Sequence, residues 1–149
     1  MIYLKKILVT TDLSECSLAG MDYATTFALL YSSEIHLLHV VDEHHADLEE
    51  ARTALEGFIG RNINPDIQVV RAVRAGQPAA MIMRYADEEG VDLIVMATHG
   101  RAGLRHKVIG SVTEKVVRLT TIPVLAVKPH TVREKLLRNE DIEKDLHLR

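Results

Sequence analysis

The sequence predicts an α/β fold: a doubly wound, five-stranded parallel sheet with helices on both faces. Three observations predict it. Short apolar runs and segments of helical periodicity alternate from one end of the pattern to the other, which demands parallel strands joined by right-handed helical crossovers. The apolar runs are continuous rather than strictly alternating, as strands covered on both faces should be. Turn and cap residues fall at the junctions between them. At 149 residues, the chain has the length of one domain with a real core.

The first strand begins almost at once, with Ile7-Leu8-Val9-Thr10-Thr11. Asp12-Leu13-Ser14 then turns the chain, with Ser14 in position to cap a helix. Leu18, Met21, Thr25 and Ala28 recur at helical spacing as far as Tyr31. Residues 34–41 form the second strand. Leu48, Ala51, Leu55 and Phe58 mark a second helix, with Gly60 as its expected stop. Asn64-Pro65-Asp66 is a turn signal, and residues 67–73 are the third strand. Pro78 suits the first turn of a third helix and Gly90 its exit. The fourth strand covers 93–98 and the fourth helix 110–119. Pro123 breaks the pattern before the fifth strand, Val124 to Val127.

Composition narrows the function. The formal net charge of −3 argues against a general nucleic-acid binder. No apolar run reaches the length of a membrane span. The segment Met1-Ile2-Tyr3-Leu4-Lys5-Lys6 is too short and too quickly polar for a signal peptide. Cys16 is the only cysteine, which excludes an internal disulfide. A cytoplasmic protein is the expectation.

The most informative stretch is residues 96–113. It runs from a buried strand through a loop with spaced glycines into a helix that begins Gly110-Ser111-Val112-Thr113. Glycines let a backbone approach a phosphate closely. The unpaired N–H groups and positive dipole of a helix start then hold the charge. A nucleotide or another phosphorylated ligand is expected there. Ser111 and Thr113 read either as caps or as phosphate contacts, and the glycines before them favour the second. Asp12, following the first strand, is either a turn former or an acceptor for ribose hydroxyls. In a doubly wound sheet the ligand crevice lies beyond the carboxyl ends of the strands, where strand order reverses. Asp12 and Thr98-His99-Gly100 should face it together.

Residues 6–14, the run Leu37-Leu38-His39-Val40-Val41-Asp42, residues 96–113 and Pro123-Val124-Leu125-Ala126-Val127 resemble the universal stress protein family. The resemblance covers roughly residues 3–128. The pattern of its ATP-binding branch is Gly-x2-Gly-x9-Gly-[Ser/Thr]. Here Gly100, Gly110 and Ser111 match at that spacing, and Ala97 replaces the first glycine. The resemblance implies a Rossmann-like sheet of the adenine nucleotide alpha-hydrolase type over residues 1–129. It implies ATP, ADP or AMP as ligand, with Mg2+ or Mn2+ bridging the phosphates. Asp12 then sits at the ribose and base end, with Thr10 where relatives often carry proline. Val40 holds the adenine edge through its backbone, while Met96 and Ala97 line the ribose and phosphate side. The glycines Gly100, Gly103 and Gly110, with Ser111, Val112 and Thr113, form the phosphate cradle. It also implies a homodimer paired through Val124 to Val127, and a role as a nucleotide-dependent sensor or signalling module in the stress response. The alternatives are a slow ATPase or autophosphorylating protein, and a dimeric interaction module with a degenerate site. A Walker A lysine and a convincing general base are both lacking.

The remaining features have plainer readings. Arg101, Arg105, His106 and Lys107 form a solvated basic run that could steer an anion. His39, Asp42, His44 and His45 do not have the spacing of a transition-metal site. Cys16 reads as a packing residue. Residues 130–149, with five basic and five acidic side chains, form a charged extension, either solvated or a helical arm that packs on a partner subunit.

Overall fold

Strands and helices alternate along residues 1–44, 46–99 and 109–129, which are described by a computed structural model. Strand β1 (Lys6–Thr11) leads through a 3-10 turn (Glu15–Gly20) into α1 (Met21–Tyr31). β2 (Glu34–Val41), α2 (Leu48–Asn62), β3 (Val69–Ala75) and α3 (Pro78–Glu89) follow. β4 (Leu93–Ala97), α4 (Ser111–Leu119) and β5 (Val124–Val127) complete the order. The five strands form one sheet in the order β3-β2-β1-β4-β5, and every neighbouring pair is parallel. This is the predicted doubly wound sheet.

Alternation along the strands divides the core in two. Ile7, Val9, Ile35, Leu37, Val73 and Val95 pack beneath α1 and α2, with Met21, Ala24, Leu55 and Ile59. Leu8, Leu38, Ala72, Ile94 and Met96 pack beneath α3 and α4, with Ile82, Tyr85, Ala86 and Val116. Strand order reverses between β1 and β4, so the crevice expected of this class opens at their carboxyl ends.

Four local expectations change. Ser14 does not cap an α-helix: its hydroxyl donates to Asp12 Oδ1, and the chain first takes a 3-10 turn. Hydroxyls compete with the backbone here, because Ser17 Oγ also reaches Ser14 O and Thr11 Oγ1. Gly60 does not end α2, which continues to Asn62 because Ile59 and the following Ile63 are buried against the sheet. β3 starts at Val69 rather than 67, since Ile67 N–H closes the Asn64 turn by donating to Asn64 O. β4 ends at Ala97, one residue early. Gly90 ends α3 as expected, in the left-handed conformation at φ 66° that glycine adopts without strain.

The two sheet edges differ. On β3, Arg71 and Arg74 donate from their guanidinium groups to the carbonyls of Val69 and Val73. On β5, the run Val-Leu-Ala-Val carries no charge. A polar chain crosses the α3 side: Tyr85 Oη lies 2.5 Å from His36 Nδ1, and His36 Nε2 lies 2.5 Å from Glu34 Oε1. Arg74 stacks over the Tyr85 ring at 5.1 Å. Burial, with Glu89 and Glu34 adding to it and Arg74 opposing, raises the Tyr85 phenol above its ordinary range.

Candidate functional site

The register brings the two predicted crevice segments together. Val9 pairs with Val95, so Asp12 and Thr98 follow the ends of neighbouring parallel strands at corresponding positions. Asp12 is half-buried, and its Oδ1 accepts from both the N–H and the hydroxyl of Ser14. Leu13 follows at φ 66°, in the left-handed region, so the chain turns sharply directly after Asp12.

Opposite Asp12, the start of α4 is pinned to the end of β4. Gly110 N–H donates to Thr98 O, and Thr113 Oγ1 donates to Ala97 O at 2.8 Å. The N-cap of α4 is Gly110, which has no side chain to satisfy the first-turn N–H groups. A Cβ at Gly110 would lie 2.8 Å from Thr98 O, closer than real contacts allow. Glycine is therefore required by the closure of this neck, apart from any ligand. Ser111 is exposed at the mouth, Val112 is half-buried and Thr113 is buried. With its hydroxyl proton given to Ala97 O, Thr113 offers a ligand its backbone N–H.

The other assigned residues are placed by strand parity. Met96 belongs to the core beneath α3 and α4, and Val40 packs against it. Thr10, two residues beyond Leu8, falls on the same face. Thr10, Val40 and Met96 thus line one side of the sheet's carboxyl edge, and Ala97 points to the other. Gly100, Gly103, the basic run, His45 and the extension 130–149 lie outside the described residues. Among the described residues no group of three metal-ligating side chains gathers, and no helix is long and apolar enough to cross a membrane.

Two features escaped the sequence. Thr98 and His99 are both buried, with Thr98 Oγ1 2.5 Å from His99 Nδ1. His39, buried in β2, donates from Nδ1 to Thr11 O at 3.0 Å, directly before Asp12. Its place inside an apolar run was the only signal.

Known proteins resemble this arrangement throughout. The profile of the universal stress protein family matches residues 4–128. Universal stress protein MJ0577 of Methanocaldococcus jannaschii is 31% identical over 153 residues, covering 83% of this chain and 94% of the relative. Universal stress protein YxiE of Bacillus subtilis is 32% identical over 145 residues, covering 83% and 98%. The solved structure of MJ0577 superposes with a TM-score of 0.73 at 33% identity, over 85% of this chain and 97% of that one. A universal stress protein of Archaeoglobus fulgidus, solved in complex with dAMP, shares the fold with a TM-score of 0.65 at 21% identity, over 86% and 100% of the two chains. With the profile spanning every strand of the sheet and the crevice residues, this chain belongs to the universal stress protein family.

Proposed function

We propose that this protein binds an adenine nucleotide, with ATP as the reference ligand, across the carboxyl ends of β1 and β4, and acts as a nucleotide-dependent sensor or signalling module in the cytoplasm. One observation carries the reading: Asp12 and the start of α4, whose N-cap Gly110 brings no capping side chain of its own, stand on either side of the point where strand order reverses. An acceptor for ribose hydroxyls on one side and an anion-seeking helix start on the other match the two ends of a nucleoside phosphate. Membership of a family whose distant folds hold dAMP in one case and cAMP in another supports an adenine nucleotide.

In this reading Val40 presents backbone groups to the base, Met96 and Thr10 line its flank, and Asp12 accepts from the ribose. Ser111, Val112 and Thr113 present N–H groups to the phosphates, with Gly100 and Gly103 completing the cradle and Ala97 beside it. A bound divalent ion, Mg2+ or Mn2+, would neutralise phosphate charge while held mainly by the phosphates and water. The apolar edge of β5 pairs two copies into a homodimer.

The test is calorimetric titration of nucleotide-free protein with ATP and magnesium. A Gly110 variant would damage the neck as well as the cradle, so Ser111→Glu is the sharper probe. A carboxylate on the first helical residue favours the helix by about 0.3–1 kcal/mol and repels phosphate. The expected result is saturable binding by the parent and at least tenfold weaker binding by Ser111→Glu at unchanged or raised Tm. Equal binding by both proteins would move the phosphates elsewhere. No binding by the parent would leave the dimeric interaction module.

A further inference from the structure

The sheet face beneath α1 and α2 is unevenly covered. α1 packs on β1 and β2, and α2 on β2 and β3, while the short 3-10 turn is what stands over β4 and β5. Gly20 of that turn sits against Val95 and Val127, toward the carboxyl ends of the two strands. Leu93 and Leu125, two residues earlier on the same face, are only half-buried. They form the floor of an apolar shelf.

α1 supplies the wall. Met21 and Ala24 mark its buried side. Tyr23, Phe27, Leu30 and Tyr31 follow one another at spacings of four, three and one, which puts them on a single flank of the helix. β2 lies to one side of β1 and β4 to the other. In a right-handed crossover a right-handed helix turns that flank toward β4. Phe27 packs on the core and stands 6.5 Å, centroid to centroid, from the Tyr31 ring. Tyr23 is 44% exposed, Tyr31 57% and Leu30 70%. Large apolar side chains gathered in this way mark a contact surface. None of the six lining residues carries a charge, so an occupant must bring an apolar side of its own.

The chain itself delivers one. β5 borders the shelf, and the described chain leaves it through Pro129, which is buried. Residues 130–149 follow directly. From the end of β5 back to its start is about 13 Å, whereas twenty residues reach about 30 Å even when wholly helical. Their charges are mixed, but on a helical wheel Val132, Leu136, Ile142 and Leu146 fall within one third of the circumference. A segment tethered this closely acts at an effective concentration of about millimolar, so a short groove can hold it where a free partner would not stay. We propose that residues 130–149 fold back and dock, within the same chain, on the shelf between α1 and the amino-end half of β4 and β5, with that apolar side against Phe27, Leu30, Tyr31 and Leu125. This contact stands independently of the nucleotide reading.

The test uses full-length, 15N-labelled protein with Cys16→Ser and Asp141→Cys, carrying a nitroxide on the new thiol. The expected result is that the amide signals of Phe27, Leu30 and Tyr31 lose at least half their intensity relative to the reduced label, while those of β3 keep theirs. Adding Leu30→Asp, which changes an exposed side chain and leaves the core intact, should restore the α1 signals without altering the far-ultraviolet circular dichroism. Mixing 15N-labelled protein that has no nitroxide with spin-labelled protein that has no 15N should leave α1 unbroadened. Full α1 signals in the spin-labelled parent, or broadening that survives Leu30→Asp, would overturn the docking. Broadening as strong in the mixed sample would assign the contact to a second copy and overturn its placement within one chain.

Discussion

Gly110 and Tyr85 show how much can rest on single positions. At Gly110 a methyl group would meet the Thr98 carbonyl at 2.8 Å. Gly110→Ala should lower stability by about 1–3 kcal/mol, the usual cost of forcing an atom into a packed site, measured by urea denaturation without nucleotide. A loss seen only in nucleotide affinity would instead make this glycine purely a ligand residue. Tyr85→Phe strands the buried Nδ1 of His36 and should cost about 1–3 kcal/mol at neutral pH. It also changes the alkaline limb of the stability curve. The native phenol holds its proton above the ordinary value of 10.0. The unfolded chain therefore ionises first, and the contribution is intact below pH 10 and lost as pH climbs through the native value. Denaturation midpoints across that range should fall less steeply in Tyr85→Phe than in the parent. Glycine spacing made Gly110 legible in the sequence, because few other roles require a glycine before a helix that starts with hydroxyls. The partners of His36 and His39 were not legible, since they come from elements brought together only by folding.

Among the elements, α2 offers the cleanest test. Gly60 is exposed inside the helix, and a Cβ there would meet nothing within 4 Å. Gly60→Ala should therefore stabilise the protein by about 0.5–1 kcal/mol, raising Tm in a thermal melt. An unchanged or lowered Tm would mean that α2 is not helical at that point. The sequence placed β1, β2, β5 and α3 well because period and punctuation agreed there, and it found β3 and β4 with shifted ends. It misplaced the end of α2 because burial of Ile59 and Ile63 outweighs the weak helical propensity of one glycine. It misread the segment after β1 for a different reason: Thr11, Ser14 and Ser17 bond one another, and no periodicity reports hydroxyl networks. The β1–β4 switch point was legible because alternation fixes the class, the class puts its crevice at a reversal of strand order, and the polar segments Asp12 and Thr98-His99 follow the first and fourth strands.

For the whole molecule, the contrast between the edges bears on the proposed homodimer. Arg71 and Arg74 occupy carbonyls of β3 and set charge along it, which discourages pairing there. The uncharged β5 edge has neither protection. Ala126, exposed on β5, is the position to change: Ala126→Lys should convert a dimer to monomer in sedimentation equilibrium while leaving the far-ultraviolet circular dichroism intact. A dimer that survives the lysine would have to form on another surface. The neck between Thr98 and Gly110 carries a consequence of another kind. Because the Gly110 N–H is bonded to the Thr98 carbonyl, the first residue before α4 is tied to the first residue after β4, and the helix takes its starting point from the sheet itself. A substitution that moves the end of β4 should therefore carry the mouth of α4 with it.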